Sequence, residues 1–433
     1  MLKAGFARLD ITLPLGTGLA GYFSPRPAKG VLDPLYLNAV AMSNGEQTVL
    51  VITVDALGIR QMFCKEILSM IEKRTGVPCD HIIINALHQH TSFVLRPKGG
   101  TCALEDTAYI DLLYRKFCDV SQMAIDDMCD SELYVSCTPA TQPISFIRRY
   151  RMKDGEVVTN PLNSWKDVVE PAGNADNNVR LLRFKRSGKK DIAIVNFATH
   201  PDVVGGEYIS ADWPGFARKF VELNHTDAHC ILVNGFQGDV NHWNCQVGPE
   251  ERGNGYEYSE KMGRVIADTV NLIWDNGDLH QESDICAKHN IVYNKTRSDG
   301  IEDFAIGKEI YEEYLKTQKI PEDAPIKRLP YLRRIYELQS DAVLRSVPVS
   351  TIVVGDVAFV GLGGEAFSHY GEAIREAVPE KFILTATCAN GFEGYLVTDS
   401  CFEEGGYEGT SSPFTPNLEK QCVSAAVDML KNL

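Results

Sequence analysis

Positive charge is in short supply in this sequence: 43 lysines and arginines stand against 58 aspartates and glutamates over 433 residues, a formal net charge of −15. Nucleic acid or an anionic membrane surface requires a clustered basic face on its protein partner, so this balance argues against both. Long apolar runs are missing as well. No window reaches the roughly 20 residues that span a bilayer, and Met1-Leu2-Lys3-Ala4-Gly5-Phe6-Ala7 lacks the apolar core of a signal peptide. The twelve cysteines contain no Cys-x-x-Cys pair and no disulfide-framework spacing, and most lie in apolar surroundings where a free thiol behaves as a small hydrophobe. These absences predict a reduced, cytoplasmic protein without a membrane span. Repeats, low-complexity tracts and an obvious interdomain linker are also lacking.

What is present fits a large buried core, with 44% hydrophobic residues. Strand-like runs recur at 48–55, 81–87, 132–137, 179–186, 191–198 and 230–234. Segments with helical apolar spacing fall between or after them at 59–74, 105–128, 212–224 and 259–274, and another closes the chain from 417 to 433. Asp212-Trp213-Pro214 reads as an N-cap followed by an early proline. This alternation predicts a mixed α/β fold, with β-sheets flanked by helices in one domain over 1–433. A charged helical stretch at 302–346 reads as an insertion or lid, with a plain solvated helical hairpin as the alternative. Residues 351–362 then read as a hairpin turned at Gly355-Asp356.

The strongest chemical signal is Leu87-His88-Gln89-His90-Thr91-Ser92, which follows the apolar run Ile82-Ile83-Ile84-Asn85-Ala86. Residues two apart on a strand point the same way, so His88 and His90 are expected to emerge together, as the start of a zinc site. Two histidines bonded to nearby backbone are the simpler alternative. His200 in Thr199-His200-Pro201 stands at a second strand-to-loop junction, where functional side chains concentrate. Glu365 follows three glycines in Gly361-Leu362-Gly363-Gly364 and is expected to open a helix, where it serves either the helix dipole or a metal. Tyr395 ends the turn-rich Cys388-Ala389-Asn390-Gly391-Phe392-Glu393-Gly394 and could project inward. Gly238-Asp239-Val240-Asn241-His242 resembles metallophosphatase loops superficially, but the early Asp-x-His of such a site is absent.

Taken in order, these segments resemble the catalytic domain of the neutral/alkaline, non-lysosomal ceramidases. Gly5-Phe6-Ala7-Arg8-Leu9-Asp10-Ile11-Thr12 with Gly21-Tyr22 is similar to the family's opening, and the His88–Ser92 segment to its Thr-His-Thr-His-Ser signature. Thr199-His200-Pro201, Ser210-Ala211-Asp212, Gly364-Glu365 and Tyr395 with Tyr407-Glu408-Gly409-Thr410-Ser411 follow in the family's order, over nearly the whole chain. The resemblance implies one zinc ion held by His88, His200, Glu365 and Tyr395, with His90 and Tyr407 facing the reacting carbonyl. Ile147-Arg148-Arg149 takes the place of the family's Asn-Arg-Ser, which makes Arg148 the matching arginine and leaves Arg149 as a neighbouring candidate; Asn160-Pro161 follows as in the family.

Two departures stand out. Asn241 replaces the serine of the family's Gly-Asp-Val-Ser, which disfavours a covalent serine mechanism and keeps metal-activated water. The chain also stops about where the family's catalytic domain ends, before its C-terminal β-sandwich. The expected activity is therefore zinc-dependent hydrolysis of an amide in a small-molecule N-acyl substrate, a lipid included, with a homo-oligomer as an allowed state. Asp212 or Asp55 is expected to orient a ligand histidine. A zinc hydrolase of a small soluble ester, lactone or N-acyl sugar is the second reading. A non-catalytic metal-binding or scaffold protein is the third.

Overall fold

The computed structural model describes residues 1–24, 26–97, 103–280, 284–297, 304–317, 319, 329–338 and 344–432. The longer strands up to Asn234 build one mixed sheet. Its order is Ala228–Asn234, Asp191–Phe197, Asn178–Arg186, Cys129–Pro139, Lys3–Asp10, Tyr36–Ser43, Thr48–Val54 and Ile82–Ala86, with Asp278–His280 added beside Cys129–Pro139. The outermost pair at each end is parallel, and the pairs between are antiparallel. A second sheet runs Ile285–Lys295, Leu344–Val354, Val357–Leu362, Phe382–Ala386, and its last pair is again parallel.

Burial on both faces explains why these strands read as near-continuous apolar runs. Along Thr48–Val54, Leu50, Ile52 and Val54 face the helices Gln61–Thr75 and Thr107–Asp126, while Val49 and Val51 face the other way. That opposite face, with Phe184, Ile194 and Ile231 of the same sheet, meets Ile352, Phe359 and Leu384 of the second sheet in a shared core. Helices Asp212–Asn224 and Tyr256–Ile273 cover the rest of the first sheet's outer face. Ser368–Ala377 and Leu418–Lys431 cover the second sheet. The architecture is a helix–sheet–sheet–helix sandwich, which is the mixed α/β class read from the sequence.

Several local expectations need correction. The strands Lys3–Asp10, Tyr36–Ser43 and Ile285–Lys295 were not among the strand-like runs, because they are rich in Ala, Asn and Lys, which carry weak strand preference, and are held by their neighbours. Glu365 does not open a helix: Glu365–Ala366 pairs in parallel with Tyr395–Leu396, and the helix starts at Ser368. Asp212 is the first helical residue, after Ala211 at the N-cap position. The 302–346 stretch contains helices Phe304–Thr317 and Leu329–Leu338, but Leu344 already begins a strand; its other residues, 319 excepted, lie outside the described ones. Tyr311, Tyr314 and Leu332 of the two helices form their own cluster against Phe23.

Buried amides stitch the two sheets together at their carboxyl ends. Asn196 Nδ2 donates to Val233 O at 2.9 Å and across the sandwich to Thr385 O at 2.9 Å. Asn234 Nδ2 reaches Leu87 O at 2.9 Å, its carbonyl accepts Thr387 N–H at 2.9 Å, and Asn85 donates to Thr387 O. A buried ion pair fixes the adjoining corner: Arg218 Nη1 and Nη2 lie 2.8 and 2.6 Å from Asp55 Oδ1 and Oδ2. The same carboxylate accepts Tyr36 N–H at 2.7 Å and Gln89 Nε2 at 2.8 Å. Removing one partner of such a pair strands a buried charge, at about 3–5 kcal/mol. Asp55→Ala is therefore expected to lower unfolding free energy by about that amount in urea titration; a loss under about 1 kcal/mol would show that the pair contributes little.

Candidate metal centre

Each central side chain leaves the end of a different strand. The strand Ile82–Ala86 stops two residues before His88, which sits at φ 77°. Left-handed backbone costs an L-residue roughly 1–2 kcal/mol, and here it is held by His88 N–H donating to Ala56 O at 2.8 Å. His88 Nδ1 lies 2.7 Å from Leu57 O, so Nδ1 carries a proton and Nε2 is the nitrogen turned toward the centre. The pleat does not aim His88 and His90, as the sequence suggested; a left-handed turn does. Their ring centroids are 5.2 Å apart.

His200 follows the strand Asp191–Phe197 by three residues, and its Nδ1 lies 2.8 Å from Gln237 O. Glu365 sits opposite Tyr395 in the short parallel pair. Its Oε2 is 3.3 Å from His88 Nε2 and 3.3 Å from His200 Nε2, and it has no aligned hydrogen-bond partner among the described residues. Zinc holds nitrogen and carboxylate oxygen at about 2.0–2.1 Å, and a tetrahedron of that radius has edges of about 3.3–3.4 Å. The donor set and its spacing therefore fit a tetrahedral cation. His90 belongs to the same group, since ligand atoms of His88, His90 and His200 all lie within 4.8 Å of one another.

Electrostatics follow from burial and these neighbours. Burial opposes charge on His88, but Glu365, and after it Cys388 (Sγ 3.8 Å from Nδ1), pull its pKa up to about 10. Burial works against ionised Glu365 too, yet His88 and His200 hold its carboxyl well below the usual range. His200 is pushed down to about 3 by burial and then by Arg148, so its imidazole is neutral. Burial, followed by His88, also lowers His90 well below its ordinary value. The buried carboxylate thus demands a positive partner, while two of the three imidazoles are kept as neutral donors.

Around this group stands a polar shell. Arg148 places Nη1 3.3 Å from His200 Nε2 and donates through Nη2 to Tyr395 Oη at 3.0 Å and Gly238 O at 2.8 Å. Its Nε lies 2.6 Å from Oε1 of Glu408, a fully buried carboxylate whose Oε2 accepts Thr159 Oγ1 at 2.6 Å. Burial pushes the Tyr395 phenol well above its usual range, against the pull of Arg148. Tyr407 packs edge-on to Tyr395 at 5.8 Å and is 37% exposed, at the mouth. His90 Nδ1 is 3.3 Å from Asp202 Oδ1, which also accepts the Tyr22 hydroxyl.

His88, His90, His200, Glu365, Tyr395, Arg148 and Tyr407 are thus gathered in one place, and other expectations are redirected. Arg149 turns away to Glu404 at 3.0 Å. Neither Asp212 nor Asp55 orients a ligand histidine; backbone carbonyls of Leu57 and Gln237 do. Asp212 instead accepts Val203 and Val204 N–H at 2.9 Å each and Ser259 Oγ at 2.8 Å, shaping the loop after His200. Asn241 bonds Asn160 Oδ1 at 2.9 Å, and Asp239 accepts Ser368 N–H at 2.7 Å. Asp202 and Glu408 were missed. Their one signal in the sequence is an acid within two residues of His200 or Tyr407.

Two lobes of a cavity meet at this centre. The smaller, of about 100 Å³, is lined by His88, Glu365, Phe392 and several arginines. The larger, of about 530 Å³, is lined by Val157, Val158, Arg148 and Asp202 among others, and Phe23 borders both. His90, Tyr395 and Tyr407 line both.

In sequence, the chain matches no protein-family model and no curated protein. Solved structures nevertheless share its architecture. A crystal structure of neutral ceramidase from Pseudomonas aeruginosa superposes with a TM-score of 0.73 at 15% identity, over 99% of this chain and 74% of that one. A ceramidase complexed with C2 gives 0.73 at 14% identity, over 100% of this chain and 75% of that one. The mixed α/β sandwich that carries this buried cluster of histidines and a glutamate is the neutral ceramidase fold.

Proposed function

We propose that this chain is a cytoplasmic, zinc-dependent hydrolase that cleaves the amide bond of an N-acyl substrate. The observation that carries the reading is the spacing of 3.3 Å from Glu365 Oε2 to both His88 Nε2 and His200 Nε2, with each Nδ1 committed to a backbone carbonyl. Those three atoms, with Tyr395 completing the set, would hold the ion. Bound zinc supplies Lewis acidity and lowers the pKa of water at the site. The ceramidase structures that share the fold, and the sequence resemblance to that family, support an amide as the bond.

The chain's own groups divide the remaining work. Arg148, held from behind by Glu408 at 2.6 Å, brings fixed positive charge beside the centre, where an amide oxygen gains negative charge during attack. Tyr407, at the mouth beside Tyr395, donates its hydroxyl to the same oxygen. His90 accepts a proton at Nε2 and returns it to the leaving nitrogen, with Asp202 near Nδ1 steadying the ring while it is charged. No serine hydroxyl is needed, in keeping with Asn241.

Purified protein is expected to contain about one equivalent of zinc, and His88→Ala or His200→Ala to reduce this to roughly a tenth and abolish amide hydrolysis. Elemental analysis paired with an N-acyl amide assay reads both. Wild-type protein with far less than one equivalent, whose melting is unchanged by a chelator, would refute the centre. Arg148→Lys is expected to keep its zinc and lose about 10²–10³-fold in kcat, because a point charge replaces a planar donor pair; unchanged kcat would remove Arg148 from the chemistry.

A further inference from the structure

His90 is gripped by a strap from near the start of the chain. Ala20 N–H donates to Ser92 O at 2.8 Å. Arg26, almost fully buried, donates through Nη2 to His90 O at 2.6 Å and to Ala20 O, and through Nη1 to Gly206 O at 2.9 Å. Between these ties Gly21, at φ 108°, packs directly on the imidazole: a Cβ there would lie 2.7–2.8 Å from His90 Cγ, Cβ and Nδ1, closer than real Cβ contacts come. Tyr22 follows. Its ring stands edge-on to His90 at 5.4 Å between centroids, with the Arg26 guanidinium 4.1 Å from the Tyr22 centroid. The Tyr22 hydroxyl donates to Asp202 Oδ1, the same oxygen that lies 3.3 Å from His90 Nδ1. One carboxylate oxygen therefore links the strap to the imidazole.

We propose that Tyr22 is a positioning residue for His90, acting through Asp202. The inference rests on the hydrolase reading and adds to it the group that fixes the carboxylate. Asp202 lines the larger lobe with its side chain 19% exposed, so a carboxylate without a donor there is free to swing toward water. At 3.3 Å it is not aligned for a full hydrogen bond with His90 Nδ1, so its hold on the ring depends on where the carboxylate itself is pinned. Desolvation, and then the neighbouring charge of Asp202, raise the Tyr22 phenol above its ordinary value, which keeps it a donor. The bond made by one imidazole nitrogen decides which of the two carries the proton. With Asp202 fixed beside Nδ1, that nitrogen is the protonated one and Nε2 accepts. The attacking water then forms its bond to the carbonyl carbon and gives a proton to Nε2. The C–N bond breaks with its electron pair on nitrogen, which takes that proton, and His90 ends neutral. Tyr22 gives up no proton; it keeps Asp202 in place while the ring gains and loses charge.

Tyr22→Phe removes one oxygen and keeps the ring. In the zinc-loaded protein it is expected to lower kcat for N-hexanoyl-4-nitroanilide about tenfold, with KM within about twofold and zinc content unchanged. In a His90→Ala background the same substitution is expected to change the residual rate by less than about twofold, since no ring is left to position. Asp202→Asn serves as the background if His90→Ala is silent. A clasp that merely fastened the loop would cost as much in every background. Nitrogen-15 NMR of the imidazoles, with His90 assigned by its loss in His90→Ala, reads the ring without turnover. Wild-type protein is expected to show the Nδ1–H tautomer alone, and Tyr22→Phe a mixture. Unchanged kcat, a loss carried in full into the second background, or one and the same tautomer in wild type and variant each overturns the proposal. Wild-type protein that hydrolyses no amide, while Tyr22→Phe mixes the tautomers, would defeat the hydrolase reading and leave the hold on His90 standing; amide hydrolysis indifferent to Tyr22→Phe would do the reverse.

Discussion

Glu365, just beyond a strand of one sheet, can lie 3.3 Å from both His88 and His200, beyond strands of the other, only if the carboxyl ends of those sheets are locked in register. Asn85, Asn196 and Asn234 supply that lock, each fully or almost fully buried and each bonded to backbone across a strand end. A buried amide left without partners costs about 1–3 kcal/mol, so any slip of one sheet against the other breaks several such bonds at once. The apolar core between the sheets is indifferent to small slides by comparison, since its contacts are short-ranged and non-directional. Position is therefore set by hydrogen bonds and stability mostly by burial.

Strand direction explains where the centre lies. The pairs Thr48–Val54 with Ile82–Ala86, Asp191–Phe197 with Ala228–Asn234, and Val357–Leu362 with Phe382–Ala386 are all parallel. Parallel neighbours deliver successive loops to one edge of a sheet, as in open α/β folds, where sites form beyond the carboxyl ends of strands. His88, His200, Gln237, Glu365 and Cys388 each follow one of those ends by two or three residues. The antiparallel middle of the large sheet contributes none of the central donors and serves as the rigid span between them.

Charge is arranged in layers around the same point. Glu365 supplies the buried negative charge, neutral His200 and His90 stand beside it, and Arg148 backed by Glu408 forms the next ring. Farther out, the arginine-lined lobe and the less polar larger lobe give the cavity two unlike halves.

Much of this was legible in the chain as written. Apolar runs bounded by turn residues marked the buried strands 48–55, 81–87 and 191–198, because strands covered on both faces need apolar side chains at every position. His88, His90 and His200 stood out at strand ends, Glu365 after a run of glycines and Tyr395 after a turn-rich stretch, and the structure gathers them. Strands such as Tyr36–Ser43, with weak preferences of their own, become strands through their neighbours, which no local window contains. The same holds for Arg148 over Arg149, for the carbonyls of Leu57 and Gln237 that orient the imidazoles, and for the roles of Asp202 and Glu408. Residue type and spacing announce what chemistry a segment can do; distances between segments 100 or more residues apart arise when the sheets stack, and those distances choose which of the candidates meet.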